Sequence, residues 1–355
     1  MALHFHKLTV KDIKHETSDC VSIAFDIPVE LQKEFQFIQG QNITIKTDLD
    51  ETRRSYSICS SPLENELRVA VKKVNNGVFS MFANEKLKKG DVLEVMPPTG
   101  TFFTEVKAAN KKDYVFFAAG SGITPVISII KTILNTEDQS NVTLIYGNKN
   151  VSSIIFKEEL EALKDKHLER FRIYHILSRE KTDADFNNGR IDIDKCNLLS
   201  KLVNLDSIDD FFICGPEQMI FNVKDFLQGR GIDPNKIHFE LFTTPTRQHT
   251  QIYTAVKEVS EEESAITVKV DGRSFEFTLD YNSNTILDAA LAEGADVPFA
   301  CKGGVCCTCK AKLLEGEVEM ESNYGLEKSE VKAGFILTCQ SHPRSKKVVV
   351  DYDEK

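Results

Sequence analysis

Cys301, Cys306 and Cys309 follow a C-x4-C-x2-C spacing within Cys301-Lys-Gly-Gly-Val-Cys-Cys-Thr-Cys309, and Cys339 lies far downstream. This is the spacing of a [2Fe–2S] ligand set, in which four thiolates converge on two irons bridged by sulfide. One loop can supply three of them only by turning sharply. Gly303 and Gly304 allow that turn and let N–H groups approach the sulfurs. A structural zinc site prefers paired CxxC knuckles, and here Cys306 and Cys309 form the only such pair. Cys307, beside a ligand, reads as a small buried residue or as a rarely used alternative ligand. The small-residue reading is favoured, because a fixed loop cannot easily present two adjacent side chains to one iron.

Upstream, Arg54-Ser-Tyr56-Ser57 combines a guanidinium for a pyrophosphate, an aromatic ring for a flavin face and a hydroxyl for the ring edge. Gly77-Val-Phe-Ser80 follows a strand and can open a helix, whose N-terminus suits phosphate oxygens. Taken singly, either motif also suits a plain strand-to-turn junction with a capping serine. Gly120-Ser-Gly-Ile-Thr-Pro125 follows an apolar strand; Thr124 can cap and Pro125 fits a first helical turn. Proline replaces the last glycine of G-x-G-x-x-G, and any α/β unit could use such a turn. Cys214-Gly215-Pro216 ends another strand and leaves room for a flat ring. Ser178 and Arg179, with Arg190 as a second cation, could grip a 2′-phosphate and so favour NADPH over NADH. Otherwise both arginines are solvated surface charges.

Three element patterns carry these residues. Up to about residue 105, short alternating strands such as Val21–Ile27, Asn42–Thr47, Leu67–Lys73 and Val92–Met96 predict an antiparallel β-barrel. The expected turns carry Gly40, Gly90 and Pro97-Pro98. Residues 106–242 alternate strand and helix, the signature of a parallel α/β nucleotide-binding domain. A polar, proline-bearing stretch over 243–262 reads as a linker. From 263 to 355, a hairpin at Asp271-Gly272, a helix over Ile286–Glu293 and the cysteine loop form a third domain.

The chain has 355 residues and a formal net charge of −10, with no basic patch of the kind that tracks nucleic acid. No stretch approaches a membrane span, and the N-terminus lacks the apolar run of a signal peptide. Nine cysteines without an export signal fit a reducing cytoplasm. Cys20, Cys59, Cys196 and Cys214 lie in apolar contexts, where a buried, inert thiol is the default.

In their order along the chain, these motifs resemble the ferredoxin–NADP reductase superfamily fused to a C-terminal plant-type [2Fe–2S] ferredoxin domain. The Cys301–Gly316 stretch, Asn323-Tyr324 and Leu337–Ser341 are similar to the reductase subunits of multicomponent di-iron oxygenases. Cys307 departs from the serine or other small residue usual there, which bears on cluster stability towards oxygen. The resemblance implies a FAD site of Arg54, Tyr56, Ser57, Val71, Gly77 and Ser80, with Ser57 and Cys214 at the reacting centre. It implies NADPH held by Gly120, Thr124, Ser178, Arg179 and Arg190, and Cys214 and Gly215 flanking the nicotinamide. Glu240 and Phe242 would close the module beside the flavin, although Phe242 could equally be a packing residue. The third domain would be an α+β β-grasp fold.

Such a chain would take a hydride from NADPH and pass electrons singly through the cluster to an oxygenase, with no general acid or base required. Residues 263–355 hold 16 acidic and 11 basic side chains, so the outlet is expected to dock on a basic patch. Rival readings are a reductase for a ring-hydroxylating or steroid-hydroxylating oxygenase, and an iron–sulfur redox sensor without turnover.

Overall fold

The computed structural model describes residues 3–47, 52–243 and 262–354. Apart from Thr243 and Glu262, the expected linker lies outside these residues.

The first sheet contains β1 (His6–Thr17), β2 (Cys20–Asp26), β3 (Asn42–Lys46), β4 (Arg53–Ser57), β5 (Leu67–Lys72) and β6 (Val92–Thr99). They pair antiparallel in the order β4-β3-β6-β1-β2-β5. An Ile58–Val69 bridge joins the two end strands and closes the barrel. Leu8, Ile23, Ile43, Ile45, Val69 and Val95 fill it and are fully buried. Pro97-Pro98 lies inside β6 and not in a turn. Asn42 pairs with Thr99 and Thr44 with Met96, so both prolines face the single residue Ile43 in a bulge. On its other side β6 pairs with β1 only through Val92–Val95, so the missing proline N–H groups cost no ladder bond. Helix α1 (Val78–Glu85) packs Phe79 and Ala83 into the barrel core.

The second sheet is parallel: β7 (Asp113–Ala119), β8 (Asn141–Asn148), β9 (Phe171–Leu177), β10 (Asp210–Cys214) and β11 (Ile237–Glu240), in the order β11-β10-β7-β8-β9. Helices α2 (Ile123–Thr136) and α3 (Lys157–Lys166) cover one face; α4 (Ile193–Leu199) and α5 (Glu217–Gly229) cover the other. Helix α2 is buried on all sides from Ile123 to Leu134, between the sheet and the barrel, and its few polar side chains are buried with it. Its Ser128 hydroxyl donates to the Ser60 carbonyl at 2.6 Å, and Thr132 meets Ser61 at 2.8 Å. The strand order reverses between β7 and β10, the switch point at which open α/β sheets form a crevice.

The third sheet, order β13-β12-β18-β14-β16, uses β12 (Glu263–Val270), β13 (Arg273–Asp280), β14 (Lys310–Glu315), β16 (Phe335–Leu337) and β18 (Lys347–Asp351). Helix α6 (Ile286–Ala292) packs its buried Ile286, Leu287 and Ala290 into this domain's core. A short helix α7 (Lys328–Lys332) and a two-stranded ribbon, β15 (Val318–Met320) with β17 (Ser341–Pro343), complete it. Val270 pairs with Arg273 across a two-residue turn in which Asp271 (φ 51°) and Gly272 (φ 70°) are both left-handed.

Candidate functional site

The three sheets meet where β4 ends. Strand alternation sends Arg53, Ser55 and Ser57 to one face and Arg54 and Tyr56 to the other. The Ser57 hydroxyl donates to Glu240 Oε2 at 3.0 Å, and Glu240 pairs in register with Cys214 on the adjacent strand. Burial pushes the Glu240 carboxyl up to about 8 against the hydrogen bond from Ser57, which lowers it. Cys214 is fully buried, and burial, with Glu240 nearby, raises its thiol far above its ordinary value. Ser57 and the protonated Cys214 thiol are buried, and the half-buried Glu240 carboxyl, raised towards neutrality, joins them.

On the other face of β4, Tyr56 tilts against Phe79 at a ring separation of 5.3 Å. Arg54 is exposed and donates from Nη1 to the Arg53 carbonyl at 2.9 Å. Helix α1 starts at Gly77 with no side-chain cap, which leaves its first N–H groups without a side-chain acceptor. A Cβ on Gly77 would lie 2.4 Å from Ser80 Oγ, so only glycine leaves this cradle open. A guanidinium, an aromatic ring and a free helix N-terminus on one side fit the pyrophosphate and ring of FAD. Val71, also in the expected set, has its side chain fully buried in the barrel core, and its carbonyl accepts from Asn84 at 3.0 Å.

A cleft of about 800 Å³ opens at the switch point of the second sheet. Gly120, Ser178, Arg179, Arg190, Gly215 and Phe242 all line it. Its floor depends on glycine: a Cβ on Gly122 would sit 2.1 Å from the Cys214 carbonyl oxygen. Thr124 is buried, and its hydroxyl donates to the Ser121 carbonyl at 3.0 Å, closing its own turn and not capping the helix by accepting. Ser178 Oγ donates to the Asn148 carbonyl at 3.2 Å. Phe242 is 43% exposed at the cleft.

In the third domain the four expected thiols stand in two pairs, Cys301 with Cys306 and Cys309 with Cys339. The Gly303 N–H points at Cys301 Sγ (3.3 Å) and the Cys301 N–H at Cys306 Sγ (3.5 Å). The hydrogen bond from Cys301 holds the Cys306 thiol below its ordinary value despite burial, and Thr308 adds to this. Among the described residues, no three His, Cys, Asp or Glu side chains converge on a single ion position. Two thiol pairs ringed by N–H donors suit a binuclear cluster, one pair to each iron. Cys307 belongs to neither pair. Its Sγ lies against Gly325, where an added Cβ would meet it at 2.6 Å.

The cluster loop faces the other two sheets. Thr308 Oγ1 is 3.3 Å from Thr44 Oγ1 on β3, and Thr101 Oγ1 donates to the Gly325 carbonyl at 3.0 Å. Val305 and Tyr324 pack on the core of the parallel sheet.

Family models match in the same order: an oxidoreductase FAD-binding domain over residues 7–104, an oxidoreductase NAD-binding domain over 116–225, and a 2Fe-2S iron-sulfur cluster binding domain over 268–344. The chain is 45% identical to a subunit of 1,2-phenylacetyl-CoA epoxidase from Escherichia coli K12, over 99% of this chain and 98% of that one. The chain belongs to the oxygenase reductase family. This reductase is also 33% identical to the ferredoxin reductase component of 3-ketosteroid-9-alpha-monooxygenase from Rhodococcus rhodochrous, over 97% of this chain and 96% of the other. Its fold matches that of phthalate dioxygenase reductase with a TM-score of 0.58 at 24% identity, covering 98% of both chains. It is thus an oxidoreductase with FAD, nicotinamide-nucleotide and [2Fe–2S] modules that transfers electrons within an oxygenase system.

Sequence reasoning missed Lys72 and Lys149, both of which line the nucleotide cleft of this reductase. Lys72 belongs to the barrel and reaches across to the Gly120 turn, with Asp19 3.7 Å from its Nζ. Lys149 directly follows β8 at the carboxyl edge of the sheet, a position that alone marks it as a candidate. Nothing local singles out Lys72.

Proposed function

We propose that this reductase draws electrons from NADPH in preference to NADH and delivers them to an oxygenase of the phenylacetyl-CoA epoxidase type, a di-iron enzyme, in the cytoplasm. When bound, FAD accepts the two electrons of a hydride together and yields them one at a time to the [2Fe–2S] cluster. The observation that carries this reading is the junction of Ser57, Glu240 and Cys214 directly beside the cluster loop.

The residues divide the work as follows. Arg54 and the uncapped start of α1 neutralise the flavin pyrophosphate, and Tyr56 covers the adjoining face. Gly215 lets the nicotinamide slide against the backbone, the buried Cys214 thiol stays protonated beside it, and the raised Glu240 carboxyl lowers the fixed charge at the meeting point. Ser57 directs its hydroxyl at the junction, where it can turn to the ring edge of the flavin. Lys149, Arg179, Arg190 and Ser178 form the cationic end of the cleft and hold the 2′-phosphate. Cys301, Cys306, Cys309 and Cys339 hold the cluster, and N–H donors around the sulfurs favour its reduced, more negative state. No helix among the described residues is long and apolar enough to cross a membrane.

The 45% relative supports the epoxidase partner over the steroid-hydroxylating system of the 33% relative. The test is anaerobic NADPH titration of the purified holoprotein, followed by reconstitution with each oxygenase. Flavin bleaching followed by loss of iron–sulfur absorbance is expected, with turnover restored only to the epoxidase. Absence of bound flavin, or turnover with the steroid oxygenase alone, would refute it.

A further inference from the structure

The outer face of β3 and β4 is the platform on which the cluster loop rests. Besides the buried Thr44–Thr308 contact, Arg53 on β4 carries a second link. Its guanidinium carbon lies 3.9 Å from the ring centroid of Phe299 and 5.0 Å from that of Phe5. Phe299 is two residues before the ligand Cys301, and Phe5 precedes the first barrel strand. The same N-terminal arm places His4 Nε2 3.0 Å from Asp271 Oδ1, in the turn between β12 and β13. Two separate parts of the chain, the N-terminal arm and the segment before the cluster loop, therefore converge on one guanidinium. Lys302 also approaches the Phe299 ring, at 4.8 Å, and pairs with Asp288 at 2.7 Å within its own domain, whereas Arg53 reaches the ring from the barrel.

We propose that Arg53 is a positioning residue: stacked between Phe5 and Phe299, it locks the cluster loop onto the strand whose other face carries Arg54 and Tyr56. The proposal rests on the flavin-to-cluster reading of the site. Its physical basis is that the chain passes only once into the third domain, so the docked population depends on contacts between domains. A planar, weakly hydrated guanidinium between two rings suits this task, because its attraction to the rings grows as water is excluded. Position matters here more than presence. The loop and β4 must keep one register for the outlet to stay at a fixed distance from the junction of Ser57 and Glu240.

The test uses the full-length holoprotein with Arg53→Ala, Phe299→Leu and Phe5→Ala, alongside the conservative Phe299→Tyr. Amide hydrogen exchange is followed over residues 299–309 and 42–46. In parallel, NADPH-driven reduction of ferricyanide, which oxidises flavins directly, is compared with that of cytochrome c, which draws on the cluster. Loss of the stack should speed exchange in both segments about tenfold and lower the cytochrome c to ferricyanide ratio similarly, with ferricyanide reduction unchanged. Phe299→Tyr should behave as wild type, and the Arg53→Ala/Phe299→Leu double variant should be no worse than either single one. Wild-type exchange and ratio in both Arg53→Ala and Phe299→Leu would overturn the proposal. If Phe299→Leu loses its iron–sulfur absorbance, Phe5→Ala, remote from the ligands, is judged by the same two readouts. Failure of the wild type to reduce ferricyanide would sink the flavin reading instead, while the exchange data would still decide the role of Arg53.

Discussion

Replacing Arg179 by alanine tests the nucleotide preference at the side chain that would grip the 2′-phosphate. Arg179 lines the cleft at the carboxyl end of β9, with Ser178 beside it and Arg190 and Lys149 nearby. Glu180, the one acid in Ser178-Arg179-Glu180, is turned away: its Oε2 accepts from the Val151 N–H at 2.8 Å, and it lines a different cavity. The 2′-phosphate would therefore meet three cations and a hydroxyl, and no carboxylate from this turn. A charge-assisted hydrogen bond contributes about 1.5–3 kcal/mol, and the exposure of Arg179 puts it at the lower end through solvent screening. About 1.5 kcal/mol is close to tenfold in affinity. Arg179→Ala should raise KM for NADPH about tenfold, and Arg179→Ala/Arg190→Ala about 100-fold, with kcat preserved because the phosphate is remote from the reacting carbon. KM for NADH should stay put. Steady-state ferricyanide reduction with each nucleotide measures both, and raising the salt should shrink the NADPH advantage. A parallel loss with NADH, or a wild type that prefers NADH, would refute the reasoning.

Gly122→Ala should abolish NADPH-dependent reduction while the iron–sulfur spectrum survives, because its Cβ would collide with backbone atoms of Cys214 and Gly215 that cannot yield. Lys131, whose side chain is only 7% exposed, donates to Glu64 at 2.8 Å and to Glu159 at 2.9 Å, clamping the barrel to the parallel domain. Both carboxylates keep solvent contact, so Lys131→Met should cost about 1–2 kcal/mol, seen as a fall of a few degrees in Tm. Asp210 is held below its ordinary value of 3.8, because bonds from His238 and Lys112 outweigh the opposing effect of burial. Its stabilisation is complete at neutral pH and disappears as pH falls through the lowered value, so denaturant melts of Asp210→Asn should lose that acid limb. Cys307→Ser should keep the visible iron–sulfur spectrum and Cys309→Ser should lose it; equal spectra in both would overturn the assigned ligand set.

Much of the fold was legible because local patterns encode it. The apolar run at Tyr114–Ala119 reports a buried strand, and the strand expected over Val21–Ile27 forms as β2, buried on both faces from Cys20 to Phe25 where simple alternation would bury one. Strand β1 gives a weak signal, since polar residues such as Lys11, Asp12 and Lys14 interrupt its few apolar ones. Pro97-Pro98 misled because a bulge, defined only by the partner strand, absorbs what proline normally ends.

The sequence by itself determined the chemistry each segment can host: a ligand spacing at Cys301–Cys309, glycines where ligands approach, and cations after β9. Those properties depend on neighbours within a few residues, where backbone geometry leaves little choice. Only the tertiary structure decided which segments act together. Ser57 reaches Glu240, Thr44 reaches Thr308, and Arg53 bridges Phe5 and Phe299, contacts separated in sequence by up to 264 residues. No local pattern encodes such contacts, because they follow from how whole sheets pack and which polar groups then lack water. The thiol spacing identifies an outlet for electrons; packing brings that outlet to the strand that carries the flavin motif.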